Sequence, residues 1–167
     1  MKDFSKDAEL AKKGDTEAFS RLYALVYKDL YYIALYSLKN SHDASDAVSD
    51  TVLDAYCSIG SLRDEKAFKS WILRILSAKI KQRQKEKFNS PAEPQEELYG
   101  DFDFESVELK EALCDLEPQS RLILSMAVLE GYSGKEIAKI CGIKEGSVRS
   151  RLSRIKQKLR LKLEGTE

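Results

Sequence analysis

The chain has little of what catalytic and metal-binding proteins are usually built on. Its 167 residues include one histidine, His42, and three cysteines, Cys57, Cys114 and Cys141, which lie far apart and form no C-x-x-C pair. Zinc binding and Cys/His or Ser/His catalysis are therefore poorly supported, and no cofactor is implied. The cysteine usage fits a reduced, cytoplasmic protein. No apolar run approaches the roughly 20 residues of a membrane span, and no signal peptide is read at the start, so no stable membrane insertion is expected. Strand signals are almost absent.

Net charge is also missing: 28 Lys and Arg balance 28 Asp and Glu. The zero hides a segregation. Residues 1–90 carry 16 basic and 13 acidic side chains, residues 91–118 one basic and ten acidic, and residues 119–167 eleven basic and five acidic. Two basic modules joined by an acidic connector describe a binding partner more than a fold.

Helical periodicity fills what remains. Residues 4–13 read as a short amphipathic helix ended by Gly14. Asp15 or Thr16 caps a long one with Phe19, Leu22, Tyr23, Val26, Leu30, Ile33 and Ala34 inward. Asn40 and Ser41 break it. A third helix starts near Asp43 with Ala44, Ala47, Val48, Val52, Ala55 and Tyr56 inward and Asp46, Ser49, Asp50 and Asp54 opposite. Residues 59–66 read as a loop, and a fourth helix spans 66–87, burying Phe68, Trp71, Ile72 and Ile75. Asn89, Ser90, Pro91 and Pro94 stop it, and no Lys or Arg occurs between Lys87 and Lys110. Helical patterning resumes at 106–116, and Pro118 opens a helix through Leu129.

The last third carries the sharpest pattern. Ser133 and Glu136 form an S-x-x-E capping box, and two short amphipathic segments flank a turn at Cys141-Gly142-Ile143. Ala138 lies four residues before Gly142 and Val148 six after, the spacing of a helix-turn-helix in which a small residue lets the helices approach and a branched one plugs the crossing. Cys141 is expected to be small and buried. Val148, Leu152, Ile155 and Leu159 line one face of the second helix, while Arg149, Arg151, Arg154, Lys156, Lys158, Arg160 and Lys162 occupy much of the rest. Such a helix presents cations to phosphates and its first turns to base edges, which implies a DNA-binding module.

The fourth helix adds a second nucleic-acid signal. Arg63, Lys66, Lys69, Arg74, Lys79, Lys81, Arg83, Lys85 and Lys87 lie on it or just before it, with Lys79, Arg83 and Lys87 repeating every four residues. Phe68 and Trp71 at its start are either core or a platform for bases; cations beside an aromatic platform suit single-stranded or opening DNA.

In this order the features resemble a sigma-70-type factor of the extracytoplasmic-function group. Gly14-Asp15, Ala18-Phe19 and Leu22-Tyr23 resemble the family's entry motif; the run from Asp43 to Val52 resembles its polymerase-binding helix; Phe68-Lys69-Ser70-Trp71-Ile72-Leu73-Arg74-Ile75 resembles its promoter-melting segment. Leu116-Glu117-Pro118 with Arg121, Glu136-Ile137-Ala138 and the run from Ser147 to Arg154 resemble the domain that reads the −35 element. The resemblance implies an all-α fold of two small domains, 1–88 and 106–167, joined by an acidic flexible linker at 89–105. It implies a non-enzymatic alternative sigma factor whose partners are core RNA polymerase (β′ clamp and β flap), promoter DNA and an anti-sigma factor. Lys144, Ser147, Arg149, Ser150, Arg151 and Arg154 would contact −35 DNA. Arg63, Lys69, Trp71, Arg74, Lys79 and Arg83 would hold the −10 element, with residues 59–66 forming a pocket for a flipped base. Asp46, Ser49, Asp50 and Asp54 would face the polymerase. The chain departs from the family pattern at Ser45, Ser49 and Ala78, and Lys144 stands where Ser or Thr usually caps the recognition helix. The competing reading is a conventional helix-turn-helix regulator that binds an operator without polymerase. An enzyme acting on nucleic acid lacks a second acidic cluster to complete a metal site.

Overall fold

The computed structural model describes residues 2–89 and 115–164. Among these, the regular structure is helical: α1 (Ser5–Lys12), α2 (Thr16–Leu38), α3 (Ser41–Ser58), α4 (Phe68–Asn89), α5 (Pro118–Leu129), α6 (Gly134–Cys141) and α7 (Glu145–Glu164). Two single-turn 3-10 segments, Ile59–Ser61 and Glu65–Ala67, connect α3 to α4. The all-α reading therefore holds. The expected linker after Asn89, the helical patterning at 106–114 and Cys114 lie outside the described residues.

Side-chain caps set several of the helix starts. The Asp15 carboxylate accepts the Ala18 N–H at 3.1 Å and opens α2. Asn40 does the same for α3, accepting the Asp43 N–H at 3.0 Å, so that helix begins two residues before the sequence pattern shows it. Proline at the first turn of α5 costs nothing, because that N–H has no intrahelical partner. The Ser133/Glu136 capping box forms in both directions at α6.

α2 is the central helix. Leu22, Val26, Leu30 and Ile33 are fully buried, and α1, α3, α4 and α5 all pack on it. The sequence reads as two bundles held apart by a connector, yet the core is continuous across both. Leu122, Ile123 and Met126 of α5, Ile137 and Ile140 of α6 and Val148 of α7 join the core of the first four helices. α5 seats on α2 and α6 on α4. The reason is compositional: α5 is too apolar to leave a face in water, and the small α6–α7 pair cannot cover it alone.

The turn between α6 and α7 depends on Gly142, at φ +67° with a helix-capping N–H to the Ala138 carbonyl. Cys141 beside it is buried, its thiol 3.7 Å from the Met126 sulfur, as its place in the turn implies. Gly142→Ala meets no steric obstacle but places a side chain in left-handed backbone, and should lower stability by about 1–2 kcal/mol in urea unfolding.

Candidate nucleic-acid interface

α7 turns Val148 and Ile155 into the core and half-buries Leu152 and Leu159. The opposite side carries Gly146, Arg149, Ser150, Ser153 and Arg154 around one open depression. Ser147 and Lys144 are exposed at its first turn, and the Lys144 carbonyl accepts the Ser147 and Val148 N–H groups at 3.0 and 3.2 Å. Arg149 rests on Glu145 at 3.0 Å, an exposed pair that DNA can displace cheaply. Arg151 is set apart, half-buried and 3.7 Å from Glu117. Gly146 and Ser153 were missed from sequence, although their spacing of three and four from Arg149 and Ser150 places them on the same face.

The cations of α4 divide into two edges. Lys79, Arg83 and Lys87, the evenly spaced set, lie against α3. Lys79 pairs with Asp54 at 2.7 Å, Arg83 with Asp50 at 2.9 Å and Asp46 at 3.9 Å, and Lys87 with Asp43 at 2.7 Å. The cations recur every four residues and the aspartates every three or four, so the two rows meet along successive turns. The structure thus joins two sets assigned to different partners, Lys79 and Arg83 for DNA with Asp46, Asp50 and Asp54 for polymerase. Ser49 is exposed, and so are Leu53, at 64%, and Tyr56, at 50%. Leu53 was missed; its signal was its place on the acidic side, off the Ala44, Ala47, Val48, Thr51 and Ala55 stripe.

The other edge faces a cleft of about 1180 Å³. Arg63, Lys66, Lys69, Trp71 and Arg74 line one wall, and Glu130, Tyr132, Glu136, Lys139 and Ile140 the other. Phe68 is fully buried, its ring centroid 6.0 Å from that of half-buried Trp71, so Phe68 is core and Trp71 alone reaches the cleft. Lys69 spans the walls, binding Asp29 at 2.7 Å and Glu130 at 2.6 Å. Burial pushes the Lys69 ammonium down, but its two carboxylate hydrogen bonds outweigh this and hold it above its ordinary value. Burial pushes the Glu130 carboxyl up, and Lys69 only partly reverses it. Arg74 donates to the Lys139 carbonyl at 3.3 Å, and the Lys81 ammonium donates to the Cys141 carbonyl.

Fold and site together define a two-lobed helical DNA-binding protein. The family model for sigma-70 region 2 matches residues 22–87, and that for sigma-70, region 4 matches residues 106–159. The chain is similar to the ECF RNA polymerase sigma factor SigM of Mycobacterium tuberculosis (strain ATCC 25618 / H37Rv), 30% identical over 92% of this chain and 82% of that protein. Among solved structures it resembles CnrH in complex with the cytosolic domain of CnrY at a TM-score of 0.73 and 23% identity, over 98% of this chain and 99% of that one, a likeness of fold. It also resembles the sigma factor RpoE in complex with the anti-sigma factor NepR from Bartonella quintana, with a TM-score of 0.67 and 25% identity over 89% of this chain and 98% of that one. The chain belongs to the extracytoplasmic-function sigma factors, alternative initiation factors of the sigma-70 family.

Two outcomes follow from these geometries. In a double-mutant cycle on Asp50 and Arg83, the coupling should be about 0.2–1 kcal/mol and shrink with added salt, since the pair is partly solvated. The packed lobes hold the Glu130 carboxyl above its usual 4.5 and so bind its proton more readily than separated lobes do. Its contribution to packing is complete below that ordinary value and is lost as pH rises through the raised one. Glu130→Gln should therefore flatten the pH dependence of the melting temperature on the acid side of neutrality, with Asp29, Lys69, Tyr132 and Glu136 left in place around it.

Proposed function

We propose that the lobes divide promoter recognition between them. The first turns of α7 enter the major groove of the −35 element, with Arg149, Ser150 and Arg154 at base edges and phosphates and Lys144 and Ser147 at the groove edge. Arg151, turned toward Glu117, serves as a phosphate contact at the margin. Trp71, Arg63, Lys69 and Arg74 take the non-template strand of the −10 element as it opens, Trp71 stacking on a base and the cations tracking the backbone. Lys79 and Arg83 reach DNA only by leaving their α3 carboxylates. Asp46, Ser49, Asp50 and Asp54, with exposed Leu53 among them, dock on the β′ clamp of core RNA polymerase, and the C-terminal lobe on the β flap. Residues 1–88 and 106–167 act as the two functional units, with the acidic stretch 89–105 between them.

The reading makes the chain a non-enzymatic, cytoplasmic factor. No helix among the described residues is long and apolar enough to cross a membrane. An anti-sigma partner is supported by the relative solved with NepR. The observation that carries the proposal is the open face of α7: a helix-turn-helix whose second helix leaves Arg149, Ser150 and Arg154 exposed around one depression, in a segment matched by sigma-70 region 4.

Run-off transcription with core polymerase of the source organism and a promoter library tests it. Transcripts should depend on this chain, and promoter-independent DNA binding by the chain alone, with no effect of core enzyme, would refute it. Arg154→Ala should weaken initiation and flatten the dependence of log affinity on log salt by about 0.9 if one phosphate contact is lost.

A further inference from the structure

We infer that Glu145 and Arg149 act as one unit that selects a G·C base pair within the −35 element, with Glu145 the residue that sets this specificity. The unit lies on the DNA face proposed above for α7, and its assignment rests on that reading. Glu145 opens α7, and Arg149 follows one turn later on the same edge of the helix. Arg149 Nη2 donates to Glu145 Oε1 at 3.0 Å, and both residues are exposed. Among the described residues, neither side chain makes another ion pair or hydrogen bond. Arg149 therefore spends one N–H donor and keeps the rest of its fork, while Glu145 keeps one whole oxygen.

Across this pair the free groups run donor, donor, acceptor. In the major groove a G·C pair shows N7 and O6 of guanine as acceptors, then the N4 amino group of cytosine as a donor. The guanidinium thus meets guanine while the free carboxylate oxygen meets the cytosine amine. On an A·T pair the second place is the N6 amino group of adenine and the third is O4 of thymine. Donor then faces donor, and carboxylate faces carbonyl. Wherever no amine meets it, the carboxylate also suffers repulsion from the phosphates that flank the groove. Glu145 is therefore a filter and not a source of affinity. A part in the helix alone leaves the choice of glutamate unexplained, since aspartate would serve the helix dipole equally and an exposed pair adds little stability. The weakness of the pair is no obstacle, because G·C gives the two side chains no reason to part. Nothing on that face holds the pair away from the groove floor: Gly146, Ser150 and Ser153 are small, and a Cβ at Gly146 would meet nothing within 4 Å.

The test reads base preference. Duplexes are recovered by the full chain from a random-sequence pool, and each base pair of the recovered sequence is then varied singly in a fluorescein-labelled probe. At one position the chain should prefer G·C over A·T by about tenfold, within the range of one bidentate contact. Glu145→Ala should cut that preference to about twofold and leave the other positions as they were, with the A·T probe bound more tightly than by the unaltered chain. Glu145→Asp keeps the first-turn charge but draws the carboxylate back by one methylene. It should lose the same preference at an unchanged melting temperature. Arg149→Ala should abolish preference at that position, and adding Glu145→Ala to it should change nothing more. Full retention of the profile by both Glu145 variants would overturn the inference. So would an equal loss at every position, which marks a part in the helix start alone, or the absence of any G·C preference in the unaltered chain. Run-off transcription with core polymerase tests the sigma-factor role separately: no transcript, with the position-specific preference intact in binding, overturns that role and leaves the Glu145–Arg149 unit standing.

Discussion

Every helix that packs on α4 takes a share of its cations, and the rest of the structure is arranged around that constraint. A helix with five lysines or arginines between Arg74 and Lys85 and a buried stripe of Ile72, Leu73, Leu76 and Ile80 repels itself unless oxygens lie alongside. α3 supplies them on one edge as a ladder of aspartates. The C-terminal lobe supplies them on the other as carbonyls and one carboxylate. The two solutions differ in kind: the α3 ladder is local and solvated, whereas the contact through Glu130 joins segments far apart in sequence and buries a carboxylate that is 6% exposed. A charge buried that deeply is costly to leave without its partner, so Lys69 and Glu130 are coupled far more tightly than any rung of the ladder.

The fold was legible wherever a local rule decides it. Asp15, Ser133 and Gly142 announce their caps and turn, and the 3.6-residue stripe of α2 names its core positions, because these choices depend on neighbours within one or two turns. Even there Asn40 was read as a break when it is a cap, since an asparagine side chain can serve either purpose. The packing of the two lobes into one core was not legible. Nothing local distinguishes Leu122, Ile123 and Met126 meeting their own bundle from the same residues meeting α2.

The site was half legible for the same reason. The open face of α7 can be written down from Val148, Leu152 and Ile155 alone, because buried positions fix the exposed ones. On α4 the regular spacing of Lys79, Arg83 and Lys87 drew attention to a row whose regularity answers Asp43, Asp50 and Asp54 on the neighbouring helix. The less regular set, Lys69, Arg74 and Lys81, is the one that meets the C-terminal lobe, and Lys69 and Arg74 of it line the cleft. Periodicity of charge reports what an adjacent helix presents as readily as what a distant ligand needs.

The carbonyl of Ser37, in the last turn of α2, accepts hydrogen bonds from Gln84 at 3.2 Å and from Arg121 at 3.2 Å, and Gln84 reaches the Pro118 carbonyl at 2.9 Å. That corner is stitched by uncharged acceptors, while the opposite end of the interface opens into the cleft beside Trp71. Any parting of the halves would therefore pivot like a book whose spine is the end of α2, with the open cleft side expected to yield before the stitched corner.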